Sequence, residues 1–213
     1  KRLRSESNEL EEAAMGYQTV PHYNSMSPEE RDRWRKKLAQ RLQKPAGKIT
    51  KQDFLKSNSF KYPSMIYLAL DIGARPCEIS RMEAHWTDLE NEVVRIPKED
   101  AAKNREDWIC LVKQETARIL EQWLRERDTR PKYDEKSALW LTKFGNRYNK
   151  DSFRTVFHKI AKAADLDVEG RSLSPYSMRH STGNYTESEA GMATAAKQLR
   201  HKSKEICSLD PLW

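Results

Sequence analysis

From Tyr62 to Ile72 the apolar residues Met65, Ile66, Tyr67, Leu68, Ala69, Leu70 and Ile72 face every direction around a helical wheel. A surface helix keeps a polar side, so this stretch predicts a deeply buried helix. Gly73 ends it and Pro76 starts the next helix, with Ile79 and Met82 inward. Arg75 is thereby left in a tight corner between two helices. Asn149–Ala164 has the opposite character. There Phe153, Val156, Phe157, Ile160 and Ala161 recur at i, i+3, i+4 spacing, the cleanest amphipathic helix in the chain. Gln114–Arg127 repeats the pattern with Ile119, Leu120, Trp123 and Leu124.

Two β-type runs, Val93–Ile96 and Trp108–Val112, flank the polar segment Pro97–Asp107 and predict a small antiparallel hairpin. Ser27-Pro28-Glu29-Glu30 is a capping box opening a helix to about Gln43, whose narrow stripe (Trp34, Leu38, Leu42) places it on the surface. Its run from Arg31 to Lys37 reads as a solvated face. Lys44-Pro45-Ala46-Gly47 breaks it, and Thr50 begins a short helix with Phe54 and Leu55. Residues 1–26 show no sustained period and read as an arm or linker with a short helix around 8–15. Beyond the short apolar run Ala138–Leu141, Gly170 precedes Ser174-Pro175, an N-cap followed by proline at the first helical position. In that helix Tyr176, Arg179 and His180 share a face by spacing. A last helical pair is expected near 190–199 and 203–209. The fold class is mostly α with a small antiparallel sheet. Residues 1–45 form an N-terminal arm, linker and helix, and 46–213 the main domain.

Composition narrows the partner. The 213 residues are 33% charged with a net charge of +7, a pI near 9.2 and a mean hydropathy of -0.93, which favours a polyanion, nucleic acid first and an anionic membrane second. No apolar run is long enough to span a bilayer and no signal peptide is evident, so a cytoplasmic protein is expected. Cys77, Cys110 and Cys207 are scattered, without metal spacing, as in a reducing compartment. Neither a metal nor a cofactor is expected. The chain begins at Lys1 rather than methionine, as a fragment of a longer protein would.

The charged residues suit one chemistry in particular. Transesterification of a phosphodiester needs cationic donors on the non-bridging oxygens, an acid for the leaving 5′-oxygen and an in-line nucleophile. Arginines bind phosphate bidentately and stay charged, a hairpin lysine can act as general acid, and an imidazole can share proton handling. The chain carries such groups in order within GARPCEISRM (73–82), the hairpin, SLSPYSMRHSTGNY (172–185) and QLRHKS (198–203). With these motifs it resembles the catalytic domain of the tyrosine recombinases, the phage-integrase and Xer-type family, and looks closest to the archaeal and haloarchaeal branch.

The resemblance runs from about Thr50 to Lys204 and implies a role for each matched residue. Arg75 matches the first family arginine, and Glu78 the acid that helps hold it. Lys103 matches the hairpin lysine when counted from the strand Trp108–Leu111, while Lys98 competes when counted from Arg75. Arg179 matches the second arginine. Tyr176 stands where histidine often occurs; a phenol, with its pKa near 10, is a poor proton acceptor near neutrality. His201 matches the last family histidine. His180 is a supporting residue that packs or bonds to backbone, and Arg105, Arg200 and Lys202 join Lys98 as DNA-binding candidates. His22, His85 and His158 read as ordinary surface or core histidines. The implied partners are duplex DNA and further copies of the chain, assembled on DNA as a tetramer.

One element departs from the family pattern. The nucleophilic tyrosine is expected nine residues after His201, where this chain has Asp210, and no tyrosine follows Tyr185. Three explanations stay open, in this order: a tail altered by frameshift or truncation, a catalytically dead domain, or a nucleophile from another chain. Whether the chain is an enzyme as written is therefore open. The leading expectation is site-specific DNA recombination or integration. The alternatives are a DNA-binding remnant or accessory regulator, and a basic helical domain with unrelated RNA or protein partners. Type IB topoisomerases share the chemistry, and the sequence does not favour relaxation over strand exchange.

Overall fold

The computed structural model describes residues 2–17, 20, 23–55, 57–100, 107–166, 174–180 and 182. Two compact units emerge, one comprising Met15–Ser59 and the other Lys1–Ala14 with Phe60–Trp213.

In the smaller unit, α2 (Pro28–Leu42) begins at the expected capping box. The Glu30 N–H donates to Ser27 Oγ at 3.2 Å, and the Ser27 N–H donates to Glu30 Oε2 at 2.8 Å. Gln43, in the left-handed region at φ 53°, ends the helix. Leu38 is fully buried with Val20, Met26, Ile49 and Phe54, so one turn of this surface helix anchors a small core. The short α3 (Lys51–Leu55) is fixed through Asp53, which accepts from the Thr50 N–H at 2.8 Å and from Lys44 Nζ at 2.7 Å. The Lys44 hydrogen bond, followed by those from Thr50, holds the Asp53 carboxyl down at about 2.

The larger unit starts with the part of α1 (Arg2–Gly16) up to Ala14, where the sequence predicts an arm with only a short helix around 8–15. Its lack of period hides two things. Leu10 and Ala14, four apart, are both buried, and the intervening Glu11, Glu12 and Ala13 impose no break. Helix α4 (Lys61–Ile72) occupies the core as its all-round apolar pattern requires, with Met65, Ile66, Leu68 and Ile72 at or near zero exposure. Next come α5 (Pro76–Arg81) and a three-stranded antiparallel sheet, β1 (Thr87–Asp88), β2 (Val93–Ile96) and β3 (Trp108–Leu111), in that spatial order. The predicted hairpin is present in the register Val93↔Leu111 to Ile96↔Trp108. The extra strand β1 is two residues long and has no alternation to betray it. Helix α6 (Gln114–Asp128) packs on α4, and α7 (Lys150–Ala163) packs on α5.

The connection between α6 and α7 is tied down by buried donors. Trp123 Nε1 donates to the Leu139 carbonyl at 3.0 Å, and buried Arg127 donates through Nε and Nη2 to the Ala138 carbonyl at 3.2 and 3.1 Å. Lys61, at the start of α4, is also buried. Its Nζ donates to the Leu141 carbonyl at 2.5 Å and lies 4.9 Å from the Tyr148 ring centroid. Burial, reinforced by the nearby charges of Lys132 and Arg130, pulls its amine down to about 7.

Candidate phosphate site

The corner between α4 and α5 is built by three neighbouring residues. Gly73 takes the left-handed conformation at φ 60° that ends α4, its N–H donating to the Ala69 carbonyl at 3.1 Å. A side chain with Cβ is disfavoured at such a φ, which explains the glycine. Arg75 follows in extended conformation as the N-cap of α5, with Pro76 at the first helical position. The Arg75 N–H donates to Glu78 Oε2 at 2.7 Å, and its guanidinium Nη1 lies 3.4 Å from Glu78 Oε1. Glu78 has no exposed surface, while the Arg75 side chain keeps 11% of its own. One buried carboxylate thus caps the helix and aims the guanidinium, leaving the outer edge of Arg75 in reach of solvent.

The second arginine comes to the same corner from far along the chain. Residues 175–180 are helical, as predicted from Ser174-Pro175. Ser174 closes the start through its backbone, its N–H donating to Ser177 Oγ at 3.1 Å. Met178 and Arg179 are buried, and Arg179 Nη1 donates to the Gly73 carbonyl at 2.5 Å. Thr182 Oγ1 ties the next turn to α4 by donating to the Leu70 carbonyl, with the Met178 carbonyl also at 3.0 Å. Two residues of chain span at most about 7 Å, so the Arg179 guanidinium lies one short step from the Arg75 backbone. The single face expected for Tyr176, Arg179 and His180 is split. Tyr176 is half exposed, His180 is partly buried, and Arg179 turns inward to a carbonyl that needs a donor.

Lys98, the competing hairpin lysine, is exposed just beyond β2, and its N–H donates to Asp107 Oδ1 at 2.9 Å, closing the base of the β2–β3 connection. Lys103, Arg105, Arg200, His201, Lys202 and Asp210 lie outside the described residues, as do His22 and the predicted final helical pair. His85 is exposed with Nδ1 3.4 Å from Glu83, and His158 packs beside Phe157. Among the described residues no three His, Cys, Asp or Glu side chains gather as a metal site would need, and no helix is long and apolar enough to cross a membrane. Sequence reasoning missed Thr182 as a positioning residue. The signal was its placement four residues after apolar Met178, on the buried side of the helix.

The model of the phage integrase family matches residues 38–209, a stretch that takes in all three motifs. The chain belongs to the phage integrase family. Solved structures share the fold of this integrase-family chain. A XerA recombinase superposes with a TM-score of 0.61 at 13% identity, covering 97% of this chain and 85% of its own. A XerH site-specific recombinase bound to its difH substrate in a pre-cleavage complex gives 0.64 at 15%, covering 98% of this chain and 49% of its own. A lambda integrase dimer bound to a core site gives 0.50 at 14%, covering 86% of this chain and 46% of its own. The integrase-family chain thus spans most of the XerA relative but about half of the other two. No curated protein matches its sequence.

Proposed function

We propose that this chain binds duplex DNA and acts in site-specific recombination, with Arg75 and Arg179 gripping one scissile phosphate. The observation carrying this reading is that Arg179, distant in sequence, donates to Gly73, two residues before Arg75. Paired guanidinium groups neutralise the non-bridging oxygens, whose negative charge grows as the nucleophile adds. Lys103, with Lys98 as the competing choice, gives a proton to the leaving 5′-oxygen, and His201 shares proton handling. Tyr176 donates to a phosphate oxygen. Arg105, Arg200 and Lys202 bind flanking phosphates. Glu78 keeps Arg75 aimed, and His180 supports the helix of Arg179. Assembly as a tetramer on DNA, and closeness to the archaeal and haloarchaeal branch, rest on the motifs alone.

Asp210, at the tyrosine position, favours a second reading in which the chain holds the same phosphate without cutting. A duplex nicked beside the cleavage position separates the two. An enzyme traps itself as a covalent protein–DNA adduct that Arg75→Ala and Arg179→Ala abolish. Salt-sensitive binding without adduct identifies the remnant, and no binding to duplex DNA rejects both.

A further inference from the structure

Edge strands of globular proteins are commonly blunted by lysine, proline or a bulge, because their open backbone invites another strand. Among the described residues no strand pairs with the outer edge of β3, the spatial order being β1-β2-β3. Yet the side chains that β3 shows to solvent are apolar, Ile109 at 58% exposure and Leu111 at 74%. Trp108, Cys110 and Val112 alternate with them and are buried, so Ile109 and Leu111 stand together on the outer face of the sheet. A single exposed apolar residue carries no meaning. A pair of them on an open edge does.

The ladder shows which backbone groups are open. The Val112 N–H donates to the Glu92 carbonyl at 2.8 Å, and the register runs from Val93↔Leu111 to Ile96↔Trp108. Bonded and non-bonded pairs alternate in an antiparallel ladder, so Trp108 and Cys110 exchange their hydrogen bonds with β2. The N–H and C=O groups of Ile109 and Leu111 therefore point away from β2, toward the open edge.

A strand that fits this edge has to present outward-facing apolar residues at the same spacing, and β3 itself does. With a second copy of β3 laid antiparallel about a two-fold axis at Cys110, Ile109 falls opposite the partner's Leu111. These are the residues whose open groups can exchange bonds. The same register sets exposed Asp107 opposite the partner's Lys113 at both ends. An axis at Ile109 would instead oppose Asp107 to the partner's Leu111, and one at Leu111 would oppose Ile109 to the partner's Lys113. Charge and hydrophobicity thus select one register. Both charges are already steadied within the single chain: Asp107 Oδ1 accepts from the Lys98 N–H at 2.9 Å, and Lys113 Nζ lies 3.6 Å from Asp71. Less side-chain freedom is then lost on association.

We infer that two copies of this chain associate through β3, in the register centred on Cys110, to form one antiparallel sheet continuous across both. Such a contact is self-complementary, as a two-fold interface requires. Main-chain hydrogen bonds supply its affinity and the alternate side chains its specificity. Interfaces of standard size take about 20–30 residues a side. One short strand offers far fewer, so the dimer is weak and depends on concentration. It needs no DNA, and so holds or fails apart from the proposed function.

Sedimentation velocity of the full chain without DNA, from low to high micromolar concentration, tests it. The expected result is a shift from monomer to dimer as concentration rises. Leu111→Lys sets lysine opposite the partner's Ile109 and abolishes the dimer, while the melting temperature of the dilute chain stays, because this side chain is exposed. Asp107→Ala removes the cross-strand ion pairs and weakens the dimer by roughly 2- to 25-fold, a loss that shrinks at high salt. Cross-linking reads the register. With Cys77→Ser and Cys207→Ser as background, Ile109→Cys and Leu111→Cys chains form an intermolecular disulfide when mixed and not when each is oxidised alone. The Cα separation of about 5.5 Å in a hydrogen-bonded pair suits that bond. A wild-type chain that stays monomeric throughout overturns the inference, as does a dimer that Leu111→Lys leaves intact. A disulfide formed by either cysteine variant alone marks a different register and overturns it too. So does a monomer whose melting temperature falls with Leu111→Lys, since a segment of the same chain then covers the strand.

Discussion

Removing the Glu78 carboxylate tests the arginine corner most directly. Glu78→Ala deletes an acceptor with no exposed surface that receives the Arg75 N–H at 2.7 Å and faces its guanidinium at 3.4 Å. Losing a helix cap costs about 1 kcal/mol, and stripping the partner from a buried ion pair costs about 3–5 kcal/mol. The Arg75 side chain retains 11% exposure and the charged contact is long, so the ion-pair part belongs at the lower end. The expected total is about 3–4 kcal/mol. Glu78→Gln can still accept the N–H through its amide oxygen and loses only the charge, for about 1–2 kcal/mol. Urea denaturation reads these values, because Trp86, Trp108, Trp123 and Trp140 are all buried in the same unit and report its loss by fluorescence. With a slope of about 2–3 kcal/mol per molar, the midpoint falls by about 1–2 M for alanine and less for glutamine. Unchanged midpoints for both variants would refute the idea that a buried carboxylate holds the first arginine.

Three further outcomes follow from groups elsewhere. Lys61 keeps its ordinary high pKa when unfolded but titrates near 7 in the fold, so the folded state binds fewer protons between those values and stability rises with pH. Melts should gain about 2 kcal/mol between pH 7 and 9, and Lys61→Met should remove that gain; a flat wild-type profile would contradict it. Thr182→Val keeps shape but removes the hydroxyl bonded to the Leu70 and Met178 carbonyls. It should cost about 1 kcal/mol and speed amide hydrogen exchange in residues 175–182, with no change in exchange disproving the tether. Asp53, depressed to about 2, contributes stability that is intact above its ordinary value near 3.8 and is lost as pH falls toward 2. Acid titration followed by NMR of unit Met15–Ser59 should show loss in that window for wild type and its absence in Asp53→Asn.

What the sequence reveals about this chain depends on the range of the forces involved. Helix α4 declares itself by an apolar run on every side and α7 by its 3.6-residue period, and Pro76 and Ser27 announce their helices by local chemistry. The α4–α5 corner was legible for the same reason, since Gly73 and Pro76 leave little choice for Arg75. Strand β1 was not, because two residues carry no period. Helix α1 was hidden by its many charges, although Leu10 and Ala14 suffice to bury one side. The inward turn of Arg179 was invisible for another reason. A guanidinium is ordinarily exposed, and only the Gly73 carbonyl, brought close by tertiary folding, makes an interior position favourable. The placement of Arg147, which donates to the Arg81 carbonyl and to Glu83, depends in the same way on partners more than sixty positions away.

The span of the Arg179–Gly73 hydrogen bond, 106 positions, has a consequence for synthesis. The half of the corner made by Gly73, Arg75 and Glu78 is sealed by contacts three residues apart and can form as soon as those residues leave the ribosome. Its other half cannot close until the chain has grown past Arg179, after the sheet and α6 have emerged. A nascent chain therefore presents the Arg75 guanidinium well before Arg179 can join it, and the phosphate grip proposed for the pair is complete only late in translation.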